Sequence, residues 1–155
     1  MMIISHRGNL DGPDLFNENR PEIVDYCISK DTPVEVDLRW SNDQFYFGHD
    51  EPQYPVTVQY LLENKDWLWL HCKERESLHE ILKLKRFNCF WHQEDDYTMT
   101  SFGYTWAYPG QLPAGPMTIG VMPELKWSLE ESIKKGFFGL CTDNVIPLQE
   151  IINSK

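Results

Sequence analysis

The residues of this chain with the widest chemical range stand where apolar runs stop. Met2 to Ser5 is mainly apolar and ends in His6, Arg7 and Gly8, a base, a fixed positive charge and a flexible hinge. "TPVEVDLRW" alternates, so a strand there puts Glu35, Asp37 and Arg39 on one face and Val34, Val36 and Leu38 on the other. His49 and Asp50 follow in the next connection, "DWLWLHCK" supplies His71 and Lys73, and "GFFGLCTDNV" supplies Asp143. A histidine can act as base or acid near neutral pH. Carboxylates and imidazoles can hold a metal ion, and guanidinium and ammonium groups can hold an anion. The set reads as metal ligands, bases and cations.

The elements that would position them follow from hydrophobic period. Met2 to Ser5 reads as a short buried strand, and Asn17 to Lys30 as a helix with Ile23, Val24, Cys27 and Ile28 on one stripe. After the alternating second strand, "QFYFGHDEPQYP" reads as a connection to a helix near Val56 to Asn64. "DWLWLHCK" is then a third strand and "ERESLHEILKLK" a third helix. From Phe87 to Glu124 the pattern changes to short aromatic or β-branched runs, "NCFWHQ", "YTMTS", "GYTWAYPG" and "MTIGVMP", broken by Pro109, Pro113, Gly115 and Pro116. A helix at Leu125 to Lys135, the strand in "GFFGLCTDNV" and a closing helix in "PLQEIINSK" complete the chain. The expected fold is α/β: eight strands forming a reduced TIM (β/α)8-type barrel whose helices are missing after the middle strands. In such a barrel the residues that close each strand meet on one functional face. A full barrel takes about 250 residues, and this chain has 155, which is read as one domain over residues 1–155.

Composition narrows the partners. Lys and Arg total 14 against 24 Asp and Glu, a net charge of −10. That charge disfavours nucleic acid and anionic membrane surfaces, so any anionic substrate must be held locally. Cys27, Cys72, Cys89 and Cys141 lack C-x-x-C spacing, and three of them lie in apolar runs, which predicts buried reduced thiols and an intracellular setting. No apolar stretch approaches the roughly 20 residues of a bilayer span. The expectation is a soluble, cytoplasmic protein with no membrane span.

"HRG", "NEN" at Asn17 to Asn19, "EVD" at Glu35 to Asp37 and "HD" at His49 and Asp50 together resemble the glycerophosphodiester phosphodiesterases, within the wider phospholipase C-like phosphodiesterases. The ending "GFFGLCTDNVIPLQEI" is similar to that family's closing strand and short helix, so the resemblance spans both ends but not Phe87 to Pro123. It implies a metal-dependent phosphoric diester hydrolase acting on glycerophosphodiesters. His6 and His49 match the catalytic pair, and Glu35 and Asp37 offer hard oxygen ligands for Mg²⁺ or Ca²⁺. Arg7 and Lys73 would contact the phosphate. Two departures matter. The family's third strand ends in glutamate, any residue, lysine, whereas this chain has His71, Cys72 and Lys73. Either His71 is the third ligand, with Mn²⁺ or Zn²⁺ favoured, or water or Asp143 fills its place. The segment that usually follows "HD" and encloses the glycerol group is also missing, so two other readings stand beside hydrolysis: a non-hydrolytic phosphate-ligand binding module, and a phospholipase D-like lyase that forms a cyclic phosphate.

Trp91, His92 and Asp143 are expected near the substrate. The run "WHQEDDYT" is read either as a second metal site or, as is usual for consecutive acids, as a solvated loop. Glu18 and Asn19 are placed to cap the first helix. Strands without covering helices would expose an aromatic outer face, which predicts a homodimer through residues 88–123.

Overall fold

The computed structural model describes residues 1–154. Along the chain run β1 (Met2–His6), α1 (Pro21–Ser29), β2 (Val34–Ser41), β3 (Gln44–Phe47), β4 (Tyr54–Val56), α2 (Val58–Glu63), β5 (Leu68–Cys72) and α3 (Arg75–Lys83). There follow β6 (Asn88–Phe90), β7 (Tyr97–Met99), β8 (Thr105–Ala107), β9 (Thr118–Val121), a 3₁₀ turn at Pro123–Leu125, α4 (Leu129–Ile133), β10 (Gly139–Thr142) and α5 (Val145–Asn153).

The strands form one ten-stranded sheet. Seven of them are parallel in the order β6-β5-β2-β1-β10-β9-β8. The sheet curls far enough to bring Phe90 of β6 against Trp106 of β8, ring centroids 4.7 Å apart, yet those two strands do not pair. The barrel is therefore open at one seam. β7 runs antiparallel to β8, and the residues after it reach the other margin. The Ser101 amide donates to the Cys89 carbonyl at 2.8 Å, and its hydroxyl donates to the Phe87 carbonyl at 2.7 Å.

All eight expected runs are strands, and no helix lies between α3 and the 3₁₀ turn, as a barrel short of its middle helices requires. Several details differ from the sequence reading. "QFYFGHDEPQYP" is not a plain connection, because β3 and β4 fold back antiparallel on β2. The reversal turns at Asn42 and Asp43, both with positive φ (50° and 56°), the geometry of a two-residue hairpin loop. β7 is a hairpin arm and not an eighth barrel strand. The first helix begins at Pro21, four residues later than expected, with Pro at the first helical position where its missing N–H costs nothing. Neither Glu18 nor Asn19 caps it, since Arg20 holds the cap position and the side chains of both are engaged in the site. The expected helix at Leu125 to Lys135 shortens to α4, started by a reciprocal Ser128 and Glu131 capping box.

Strand alternation sorts the core. Val34, Val36 and Leu38 of β2 and Leu68, Leu70 and Cys72 of β5 face outward and pack with Val24, Leu61 and Ile81 of the helices. Ile4, Trp69, Phe90, Trp106, Ile119 and Cys141 face inward and fill the barrel. Ala107, Phe137, Leu140 and Leu148 make a third cluster under α4 and α5. The four cysteines are free and buried. The outer face of the middle strands is partly covered, because α3 lies over β6 and its Leu78, like Trp91, packs against the outer cluster. In the segment proposed to dimerise, the exposed apolar side chains are Tyr97, Met99, Phe102, Leu112 and Met117. Among the described residues no helix is long and apolar enough to cross a membrane.

Candidate active site

Five of the six inward apolar residues of the barrel are followed two positions later, on the same side of the strand, by a polar or aromatic residue at the carboxyl end, while Ile119 is followed by Val121. Ile4 is followed by His6, Trp69 by His71, Phe90 by His92, Trp106 by Tyr108 and Cys141 by Asp143. Glu35 and Asp37 occupy the inward positions of β2. A period of two thus carries the set from six strands to one end of the barrel. There most of it surrounds a cavity of about 320 Å³. One wall is His6, Arg7, Glu35, His49, His71 and Lys73, and the other is His92, Trp106, Tyr108, Pro109, Val121 and Met122.

Asp37 is fully buried and is the hub of the charged wall. One oxygen lies 3.0 Å from Arg7 Nε and accepts from Asn19 Nδ2 at 2.9 Å. The other lies 3.3 Å from both His71 Nδ1 and Lys73 Nζ. Burial alone would raise the Asp37 pKa, but His71, Arg7 and Lys73 hold it well below the usual carboxylate range. Glu35, also buried, lies 3.4 Å from His71 Nδ1 and 4.0 Å from His6 Nε2. Burial would lower the His71 pKa, yet the two carboxylates raise it above that of an ordinary histidine. Its ring is sandwiched between Phe90 at 4.9 Å and His92 at 4.7 Å. His92 itself titrates lower than usual, through burial and the nearby His71 and Lys73 charges.

His6 is held from behind. Its Nδ1 lies 2.7 Å from Asp143 Oδ1, and Asn9 Nδ2 donates to that same oxygen at 2.8 Å. Burial pulls the His6 pKa down, but the Asp143 hydrogen bond and the Glu35 charge outweigh it and the net shift is upward. Asp143 is kept in place by Glu124, whose Oε1 accepts from the Thr142 hydroxyl at 2.8 Å and from the Asp143 amide at 3.0 Å. The chain leaves β1 through Arg7 and Gly8 in left-handed backbone, φ 55° and 92°. A Cβ at Gly8 would stand 2.6 Å from Ile23 Cγ2, so only glycine fits against α1. Arg7 also pairs with Glu18 at 3.2 Å, and Glu18 accepts from Asn9 at 2.9 Å, which locks the loop to the site.

His49 comes from the loop between β3 and β4 and is more open, its side chain 41% exposed and its Nδ1 2.7 Å from Asp50. Arg39, expected on the Glu35 and Asp37 face, braces this loop and does not line the cavity. Its guanidinium donates to the carbonyls of Gly48 and His49 and pairs with Glu74 at 3.1 Å. The strand thus places two carboxylates in the site and uses the next residue of that face to fix His49.

The donor atoms of Glu35, Asp37 and His71 lie within 4.8 Å of one another. Asp37 Oδ1 is buried, and its contacts with His71 Nδ1 and Lys73 Nζ at 3.3 Å are contacts of charge without hydrogen-bond geometry. Two carboxylates and an imidazole in that spacing fit a divalent ion.

His6, Arg7, Glu35, His49, His71, Lys73 and His92 therefore line one cavity. Asp143 sits behind His6 and does not line it. Trp91, one residue out of phase with His92, turns outward, where it borders an apolar hollow with Leu78, Leu82 and Met99. Gln93, Glu94 and Asp95 line a separate open hollow, so of the run "WHQEDD" only His92 reaches the cavity. Asn9, Glu124 and Met122 carry no sequence signal that marks them for the site, whereas Trp106 and Tyr108 also line the cavity. For the two aromatic residues the signal was present in the two-residue phase of β8.

These features define the class of fold: a parallel β/α barrel, open at one seam, with an acidic and histidine-rich cavity at the carboxyl ends of its strands. No family model and no curated protein matches the sequence. A solved structure of a glycerophosphodiester phosphodiesterase from Parabacteroides distasonis is similar, with a TM-score of 0.64 over 99% of this chain and 97% of that one. The two chains are 16% identical, and what they share is the fold.

Proposed function

We propose that the chain is a metal-dependent phosphoric diester hydrolase acting on a glycerophosphodiester or a similarly small phosphodiester. The observation that carries this reading is the shared cavity, lined by two histidines from different elements, two cations, and Glu35 and His71, which with the buried Asp37 beside them are spaced to hold a metal ion. The fold shared with the Parabacteroides enzyme is consistent with it.

Hydrolysis moves two protons. One imidazole takes the proton of the attacking water or substrate hydroxyl as its oxygen bonds to phosphorus. The other gives a proton to the departing alkoxide as the second P–O bond breaks. His6 and His49 are assigned these roles. Asp143 accepts from His6 Nδ1, which leaves Nε2 as the nitrogen available to substrate. Arg7 and Lys73 supply positive charge where the phosphoryl oxygens gather negative charge. Glu35, Asp37 and His71 would hold the divalent ion, Mg²⁺ or Ca²⁺, or Mn²⁺ through the imidazole. The chemistry such an ion supplies when bound is Lewis-acid withdrawal of charge from phosphoryl oxygen. The exposed apolar groups of residues 88–123 support a homodimer through that segment as part of the same proposal.

The test is hydrolysis of a phosphodiester panel with Mg²⁺, Ca²⁺ and Mn²⁺. His6→Ala and His49→Ala should each lower kcat by about 10²- to 10⁴-fold, the usual contribution of acid–base catalysis. Activity that survives both substitutions overturns the role assignment. Phosphorus NMR separates a hydrolysed product from the cyclic phosphate of a lyase, and binding without turnover under every metal marks a binding module.

A further inference from the structure

The loop between β1 and α1 carries the two most exposed large apolar side chains of the described residues, Leu15 at 84% and Phe16 at 76%. Leu15 stands beside the cavity, bordering a hollow with Glu18, Asn19 and Gln53 that shares Arg7 and His49 with the active site. The loop is also stiff. Asp14 accepts from the amides of Phe16 and Asn17 at 3.2 and 3.3 Å and from the Asn17 side chain at 2.7 Å. Its own amide donates to Asn9 Oδ1 at 2.9 Å. Arg20 lies over the Phe16 ring at 4.7 Å and donates to the Phe16 carbonyl at 3.0 Å. A loop braced in this way keeps two apolar tips in water without letting them fold back onto the core.

We propose that Leu15 and Phe16 dock the protein on the surface of a zwitterionic lipid aggregate, which presents the phosphodiester to the cavity. The proposal rests on the hydrolase reading for the identity of the substrate, but not for the docking itself. A protein partner fits less well, because a stable interface takes about 800 Å² from each side, and here two apolar tips stand among the exposed acids Asp11, Asp14, Asp50 and Glu51. Insertion into a lipid interface scales with the apolar area buried and needs no broad complementary face, so two exposed tips suit it better. The net charge of −10 and those same acids select neutral headgroups over anionic ones.

The experiment is co-sedimentation of the full chain with phosphatidylcholine vesicles, at low and high salt, alongside Leu15→Glu, Phe16→Glu and the double variant. Tyr26→Glu, a half-exposed position on α1, is the control. Wild-type protein should sediment with the vesicles independently of salt, and each loop substitution should weaken partitioning about tenfold, the worth of one buried apolar side chain. Tyr26→Glu should leave it unchanged. Where hydrolysis is detected, the ratio of rates on vesicle-held and water-soluble phosphodiesters should fall in the loop variants. Failure to sediment, equal loss in Tyr26→Glu, or loop variants that change the oligomeric state by light scattering would overturn the proposal. Vesicle binding with no hydrolysis of any phosphodiester would uphold the docking and overturn the hydrolase reading instead.

Discussion

Asp143→Asn tests whether the proposed base is tuned from behind. The amide is nearly isosteric with the carboxylate. Its oxygen can keep both contacts that Asp143 Oδ1 now makes, His6 Nδ1 at 2.7 Å and Asn9 Nδ2 at 2.8 Å, so geometry is conserved and charge is lost. Exchanging a charged for a neutral hydrogen-bond partner costs the difference between about 1.5–3 and about 0.5–1.5 kcal/mol, about 1–1.5 kcal/mol. At about 1.4 kcal/mol per decade of rate, kcat/KM should fall roughly five- to tenfold. The pH profile should move as well. His6 titrates above an ordinary histidine because Asp143 and Glu35 outweigh burial, so removing one carboxylate shifts its limb to lower pH. Stability carries the same signature. A raised histidine pKa contributes stability that is full below the unfolded pKa and is lost as pH rises through the folded one. Asp143 itself titrates low: burial opposes this, but its bond to His6 prevails, so its contribution is present above the unfolded pKa and is lost as pH falls through the folded one. The gap in Tm between wild type and Asp143→Asn, measured in a chelator, should therefore be widest between about pH 4 and 6.5 and narrow on both sides. A kcat/KM within twofold of wild type, together with a gap that does not vary with pH, would refute the coupling.

His71→Glu restores an all-oxygen ligand set and should move metal preference from Mn²⁺ toward Mg²⁺ and Ca²⁺ by about tenfold, read by isothermal titration calorimetry; an unchanged preference would remove His71 from the ligand set. Gly48→Ala would bring a Cβ within 2.1 Å of the Glu51 carbonyl oxygen and so displace the loop that carries His49. It should cost about 1–3 kcal/mol of stability, read by denaturant titration, with a far larger loss in kcat than in Tm.

The polar ends of the strands were legible because a strand reports its two faces directly. In "TPVEVDLRW" the alternation alone puts Glu35 and Asp37 together, and the structure keeps them on one buried face. The same rule separates Trp91 from its neighbour His92: Phe90 faces inward, so His92 must and Trp91 cannot. What the sequence left hidden was of another kind. β3 is four residues long and its partner β4 three, too short for any period to stand out, and their pairing depends on the left-handed turn at Asn42 and Asp43. Asn19 looked like a helix cap because asparagine favours that place, but a buried carboxylate at Asp37 needs donors more than a helix start does, and Asn19 donates to it from 18 residues away. Asn9 and Glu124 act through Asp143 across similar or greater separations, 134 residues for Asn9. Local chemistry therefore predicts which side chains enter the cavity. The residues that hold them there are chosen by the unmet hydrogen bonds of buried charge, and those become visible only once the strands are side by side.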